Sequence, residues 1–257
     1  MDGGTVVAKE SGLGDMLIVH GFNASGDIQQ LGNIGGGPAL LNMTGIDKAG
    51  YERQGGLRSG QFEMTTFFNS DTVTPATHQK LSALPRTDVI LTYGHTTQLG
   101  WPAASIVSKQ IGYDPQRGDD GMLTFSVSAQ ANGYGIEWGR QLTAGVRTDT
   151  AATNGAGVDT TASASFGAQA YLQVGAFTGT DVTVKIQDSA DNVTFSDVAG
   201  LAFTQITGGA PLAERIAVST TTTIRRYVRA VTVTTGGFAS LAFAVNFIKN
   251  EVAGVTF

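Results

Sequence analysis

Residues 109–145, KQIGYDPQRGDDGMLTFSVSAQANGYGIEWGRQLTAG, decide the fold class. From Leu123 to Ala131 the stretch alternates without a break. Leu123, Phe125, Val127, Ala129 and Ala131 face one way; Thr124, Ser126, Ser128 and Gln130 face the other. A period of two marks a strand with one buried face. The preceding run, DPQRGDDG at 114–121, has Pro to preset φ and Gly to permit φ > 0, which is the chemistry of a chain reversal. Asn132-Gly133 is a hairpin signal leading into a strand at 136–142. The expectation is a three-stranded antiparallel meander whose outer face carries hydroxyls and amides but almost no charge. Such a face suits a neighbouring subunit or a lumen better than open water.

Composition points the same way. Charged residues make up 14% of the 257, against roughly 25% in an ordinary soluble domain. Hydrophobic residues are an unexceptional 41%, so the missing charge is not replaced by a larger core. A monomer uses charge to stay soluble and to blunt its sheet edges; here the expectation is that other subunits cover much of the surface. The net charge of −5 argues against a nucleic-acid binder that works by neutralising phosphates, though not against a protein that DNA merely slides past. There are no cysteines, hence no disulfides and no thiolate metal sites. No apolar run approaches a membrane span and the start, MDGG, is unlike a signal peptide, so synthesis in a cytoplasm and action in solution or in an assembly are expected.

The rest of the chain reads as short strands. Residues 1–15 form an arm and 16–22 a strand. Residues 32–60 form a long glycine-rich loop, of a length that is usually functional or disordered. Its apolar residues Ile34, Leu40, Leu41, Met43, Ile46, Tyr51 and Leu57 suit a loop that orders against a partner. Residues 61–69 read as a strand with Phe62, Met64, Thr66 and Phe68 to one side; 74–84 is the one credible helix. With strands at 87–93 and 103–113, the first half is all-β. Residues 148–165 are small and polar and read as a linker, flexible or draped over a surface. Beyond them, 166–257 alternates again through six or seven short strands, a second β-sandwich. The division is thus 1–147, a linker at 148–165, and 166–257.

Reactive chemistry is looked for and mostly missing. His20, His78 and His95 lack the partners of a nucleophilic triad and no pair has metal-ligand spacing. The run 32–37 is glycine-rich without the Lys-Ser/Thr of a phosphate cradle. Asp114, Asp119 and Asp120, like Asp188 and Asp191, read as turn residues rather than calcium ligands. Arg225, Arg226 and Arg229 form the only basic cluster in the sequence; a phosphate or glycan contact is one reading, and salt bridging to Asp188 or Glu214 is the favoured one. Trp101 and Trp138 could make a sugar-stacking platform, but Trp138 alternates with polar neighbours as a core residue does. The chain is therefore not expected to be an enzyme or to hold a cofactor or metal.

Taken whole, the sequence resembles the major tail tube proteins of long, non-contractile-tailed phages, particularly those of actinobacterial hosts. The residues that carry this are GLRSG at 56–60 before a Phe-rich strand, LPRTDV at 84–89, KQIGYDP at 109–115, QANGYGIEWG at 130–139 and LTAG at 142–145, with 181–195 in the second half. The resemblance implies a tail-tube-type β-sandwich or barrel with one short helix, followed by an Ig-like or jelly-roll-like outer β-sandwich. It implies six protomers to a ring and rings stacked into a tube in the virion, with tape-measure and terminator proteins as partners. DNA would pass through the lumen without sequence-specific binding, and no membrane is involved. Thr124, Ser126, Ser128, Gln130, Glu137 and Gln141 are then expected to line the lumen, and the apolar residues of 32–60 to reach a neighbouring subunit or ring. The alternative is a capsid-decorating or tail-tip protein whose C-terminal sandwich binds host glycan. A secreted-type carbohydrate-binding module is a third reading.

Overall fold

The structure, a computed structural model, describes residues 11–71 and 76–253. The chain is all-β, with one short helix among the described residues. A twelve-stranded sheet runs through both halves, and a four-stranded sheet and a two-stranded hairpin complete the architecture.

The first half is built on β8, Pro102–Arg117, sixteen residues long. Its first part, Ala103 to Ser108, pairs with β7 (Val89–Gly94), which pairs in turn with β1 (Met16–Val19) and, through it, β2 (Phe22–Asn23). Its second part, Ser108 to Arg117, pairs with β9 (Leu123–Ala131). β9 pairs with β6 (Gln61–Phe67), and β6 with β3 (Ile28–Gly35). The sheet curls round a core of Leu17, Leu91, Ile106, Phe62, Met64 and Val127. Helix α1, Thr77–Leu81, puts Leu81 into that core. Asp27 holds the helix start by accepting from the Thr77 hydroxyl, and takes the Asn69 amide at 3.0 Å. The residues expected to open this helix, Thr74 and Pro75, lie outside the described residues.

The meander expectation is corrected in one respect. β10, Glu137–Gln141, pairs with β8 and with β18 (Phe238–Lys249), but not with β9. β9 and β10 lie against successive parts of one long strand, so the chain travels forward through Asn132-Gly133 instead of reversing. Gly133 does take a positive φ of 79°, but the turn it makes is a step along β8.

The second half is a sandwich. One layer holds β11 (Arg147–Asp149), β13 (Ala168–Gly179), β16 (Leu212–Ala217) and β18. The other holds β12 (Val158–Asp159), β14 (Thr183–Ser189), β15 (Ser196–Ala202) and β17 (Tyr227–Val233). Between them lie Leu172, Val174, Ile186, Val228, Leu241 and Phe243, all fully buried. The stretch expected as a linker is draped over this sandwich. Val158 registers with Val228, and Asn154 and Ala164 form bridges to Val231 and Ile224.

The halves are joined by backbone and side chain together. Arg140 and Gln141 of β10 pair with Phe247 and Asn246 of β18. A Cβ on Gly139 would sit 2.2 Å from the Phe247 carbonyl oxygen, so only glycine permits this approach. Beside the seam a buried polar chain links the halves: Thr92 Oγ1 to Ser105 Oγ at 2.9 Å, Asn246 Nδ2 to Ser105 Oγ at 2.9 Å, and Gln173 Nε2 to Thr92 Oγ1 at 3.0 Å.

The expected loop at 32–60 is also corrected. β3 runs through to Gly35, and β4 (Pro38–Asn42) pairs with β5 (Arg53–Arg58) as a hairpin that joins no other strand. At its base a Cβ on Gly36, whose φ is +149°, would fall 2.4 Å from the Gly60 Cα, so two glycine backbones cross where the hairpin leaves the sheet.

Candidate assembly surface

The four strands β8, β9, β6 and β3 present one face to α1 and the core and the other to the outside. Cross-strand neighbours point to the same side of a sheet, so register alone composes the outer face. One row runs Gln30, Thr65, Ser126, Asp114; the next runs Glu63, Ser128, Gly112; a third runs Gln61, Gln130, Lys109. Ser126, Ser128 and Gln130 are half-buried and Glu63 and Asp114 exposed. Lys109, at the rim, is engaged with Asp88 at 2.7 Å and with the Arg86 carbonyl at 2.7 Å. The Lys109 ammonium, followed by the Asn132 amide, holds the Asp88 carboxyl below the usual range. What remains in these three rows is hydroxyl, amide and carboxylate, while Phe67 continues the β6 alternation and Ile111 is exposed at the register shift of β8.

Ser126, Ser128 and Gln130 therefore lie together as expected on one open face, while Thr124 lies in the same alternation but is covered and registers with Phe67. Glu137 and Gln141 do not belong to this face. The register break at 132–136 turns them inward, and each is 2% exposed. Gln141 donates to the carbonyls of His95 and Thr96. Glu137 is paired with Arg215 and accepts from the Tyr171 hydroxyl. Burial, then the neighbouring Glu137 carboxylate, push that hydroxyl up, so it stays protonated. Sequence reading missed Gln30, Gln61, Glu63, Thr65 and Asp114. The alternation of Phe62, Met64 and Thr66 on β6 contained the signal for three of them.

Both outer edges of this four-stranded unit are open. Among the described residues β3 has no strand partner but β6, and residues 109–117 of β8 have none but β9. β3, IQQLGNIG, carries neither charge nor proline to blunt its edge, and its pairing with β6 is interrupted by two register shifts, between Ile28 and Gln30 and between Leu31 and Ile34.

The hairpin β4–β5 stands next to this sheet. Leu40 is 68% exposed, Tyr51 74%, Leu57 89% and Ile46 fully so; Leu41 and Met43 are exposed as well. Of the apolar residues expected to contact a neighbour, Ile34 lies on β3 and packs against the core. At the opposite end of the sheet Phe67, Phe68, Met122 and Leu123 are each between 37% and 41% exposed; Phe67 registers with Thr124 and shares its side, Leu123 faces the other way, and Phe68 packs on His78 and Phe125.

The remaining candidates are internal or structural. Arg225 binds Asp188 at 2.5 Å and Arg226 binds Asp159 at 2.6 Å. Arg229 lies 4.1 Å over the Phe195 ring and donates to Gln187. His78 contacts the Tyr113 hydroxyl at 2.9 Å and His95 contacts Asp15 at 2.8 Å, while burial and then Lys80 hold His20 below its ordinary range. Asp191 caps its own turn, accepting the Val193 and Thr194 amides. Trp138 is half exposed, at 49%, not the core residue expected, because it sits at the sheet rim beside Tyr93. Among the described residues no group of three His, Cys, Asp or Glu is placed to hold a metal ion.

No protein-family model and no curated protein matches the chain. Among solved structures, the Dit protein (gp 19.1) of phage SPP1, a hub adsorption apparatus component, is 12% identical with a TM-score of 0.32, covering 91% of this chain and 99% of that one. The phage p2 baseplate in its activated conformation is 10% identical in both its strontium and calcium forms, with TM-scores of 0.30 and 0.34, covering 93% of this chain and 99% of the other. At such TM-scores these likenesses transfer neither an arrangement nor a role.

Proposed function

We propose that this protein is a structural component of a phage virion tail, closing edge to edge with copies of itself into hexameric rings that stack into a tube for genomic DNA. The observation that carries the reading is the unit β8–β9–β6–β3, with two open edges and one uncharged-to-acidic face. Joining β3 of one copy to the second part of β8 in the next continues the sheet and removes both edges. Six copies give about 24 strands, and at ~4.8 Å per strand a barrel about 37 Å across before strand tilt widens it. Barrels of 16–18 strands already leave an aqueous channel, so such a ring stays open. Its lining of Ser126, Ser128, Gln130, Thr65, Glu63 and Asp114 offers no cation to grip phosphate, and DNA passes without counterion release. The role is passive: no catalysis, cofactor or membrane is called for. Synthesis in the host cytoplasm and contacts with tape-measure and terminator proteins belong to the same proposal.

Electron microscopy of the purified, concentrated protein tests it. Rings or tubes with an open centre support the reading; lone protomers at every concentration refute it.

A second reading is favoured by the outer sheet of the C-terminal sandwich. There Arg229, Gln187, Asp197 and Lys185 are bonded in one chain across β17, β14 and β15, beside Phe195 and Tyr227. A planar polar–aromatic face of this kind suits a host-surface glycan at a tail tip or on a capsid. Retention of the full chain on host cell-wall polysaccharide, lost in Arg229→Ala, would select it.

A further inference from the structure

The geometry points to a binding site for a neutral pyranose sugar on the open face of β10, at Trp138 and Arg140. The proposal goes beyond the ring reading and uses neither of its edges. Pro102, beside the site, opens β8, whereas the free edge of that strand begins at residue 109, on the order of 20 Å further along.

β10 lies where two cores meet. Trp138 and Arg140 alternate with Glu137 and Gln141, so they point away from the buried ion-pair side of the strand. Trp138 registers with Ala104, and Arg140 with both Pro102 and Phe247. Ala104 belongs to the N-terminal core and Phe247 to the C-terminal one. This sheet face is therefore covered on either side of β10, while Pro102, Trp138 and Arg140 stay exposed. What is left is a cleft of about 310 Å³, lined among others by Thr160, Lys249 and Glu251. Sites for small ligands begin at about 300 Å³.

The groups in the cleft match a sugar. A pyranose has faces of C–H bonds and a rim of hydroxyls, each able to donate and to accept. Trp138 supplies the flat apolar surface, 49% exposed. Tyr93 meets it edge-on at 6.3 Å, and the Tyr93 hydroxyl is itself fixed by donating to Asp15 at 2.7 Å. An aromatic ring with its orientation set and half its area in water is an anchor awaiting a partner. Trp101, the other ring expected for a sugar platform, packs on His95 instead, with centroids 5.4 Å apart.

A donor and an acceptor stand beside the ring. Arg140 spends one N–H on the Gly100 carbonyl at 3.1 Å, and its other N–H groups have no hydrogen-bond partner among the described residues. The Glu251 side chain is 64% exposed and is anchored by Lys249 Nζ at 3.2 Å. Lys249 is only 3% exposed and is saturated by the Thr160 carbonyl at 2.9 Å, the Thr160 hydroxyl at 3.0 Å and the Ala162 carbonyl at 2.5 Å. Lys249 is thus a positioning residue for Glu251, not a contact. Guanidinium and carboxylate together suit adjacent hydroxyls, one accepting and one donating. An anion meets Glu251 and a cation meets Arg140, so both are disfavoured against a neutral polyol.

Saturation-transfer NMR on the full chain tests the site, with the methyl glycosides of glucose, galactose and mannose as probes. Transfer to the ring C–H protons of at least one is expected. It is lost in Trp138→Ala and kept in part in Trp138→Phe, whose smaller ring still stacks. Arg140→Ala with Glu251→Gln is expected to weaken binding roughly tenfold, as loss of a hydrogen bond to a charged group does. Excess inorganic phosphate is expected not to compete. No transfer to any of the three probes, or transfer unchanged in Trp138→Ala, overturns the proposal. Competition by phosphate also overturns it, since the cleft would then be an anion site. Loss of transfer in Arg229→Ala would place the sugar on the outer sheet of the C-terminal sandwich and overturn this site. The readout works on dispersed and assembled protein alike, so it fails or stands separately from ring formation.

Discussion

Glu137 of β10 and Arg215 of β16 form a two-point ion pair across the seam between the halves, Oε2 to Nε at 2.8 Å and Oε1 to Nη2 at 2.9 Å. The Arg215 side chain is 7% exposed and that of Glu137 not at all. The Tyr134 ring covers the guanidinium at 3.8 Å. Removing one partner of such a pair leaves an uncompensated buried charge, at a cost of about 3–5 kcal/mol. Glu137→Ala is therefore expected to lower the unfolding free energy by that amount in denaturant titration, and Glu137→Ala with Arg215→Met to recover much of it. Equal loss in the single and double variants would contradict the pairing.

The face composed by β8, β9, β6 and β3 predicts a contrast. Ser126→Lys with Ser128→Lys, at half-buried positions on the open face, is expected to leave the protomer folded, yet to slow genome ejection from virions that assemble normally. Glu137→Lys, by contrast, is expected to fail to fold, since it sets two cations in one buried site. Unchanged ejection kinetics in virions carrying both lysines would show that this face does not meet DNA.

Gly139 offers a test of the seam. A methyl at this position meets the Phe247 carbonyl oxygen, which is backbone and cannot swing away. Gly139→Ala is expected to destabilise by about 1–3 kcal/mol and to loosen the amides of β10 and the end of β18 in hydrogen exchange. Wild-type stability would mean that the two strands do not approach this closely.

Asp159 supplies a pH dependence. The Arg226 guanidinium, then the Thr161 amide, hold its carboxyl at about 2 against an ordinary 3.8. A carboxyl depressed in the folded state stabilises above its unfolded pKa, and the contribution is lost as pH falls through the folded one. The Tm difference between the wild type and Asp159→Asn is thus expected to be constant above about pH 5 and to close between pH 4 and 2. A difference that persists at pH 2 would contradict the assignment.

The strand 123–131 was legible in the sequence because a single face is buried, and alternation records a single buried face directly. The Arg225–Asp188 pair was legible from charge alone. Glu137 and Gln141 were not: a five-residue step along β8 changes which side faces out, and no residue type at 132–136 distinguishes that step from a reversal. The hairpin was hidden for a related reason. Glycines at 36, 37, 45, 50, 55 and 56 dilute the strand signal, although its two strands pair on either side of one register shift. The seam was least legible of all, since pairing between β10 and β18 spans over a hundred residues of chain and leaves no local trace.

Hydrogen exchange on the protein before and after assembly tests the central claim most directly. In dispersed protomers the outer amides of β3 (28–35) and of 110–114 in β8, ahead of Pro115, have no strand partner and exchange quickly. Closure of the ring is expected to protect both segments together, while the outer sheet of the C-terminal sandwich is unchanged. Assembly that leaves these two edges exchanging as fast as in the dispersed state would contradict the account.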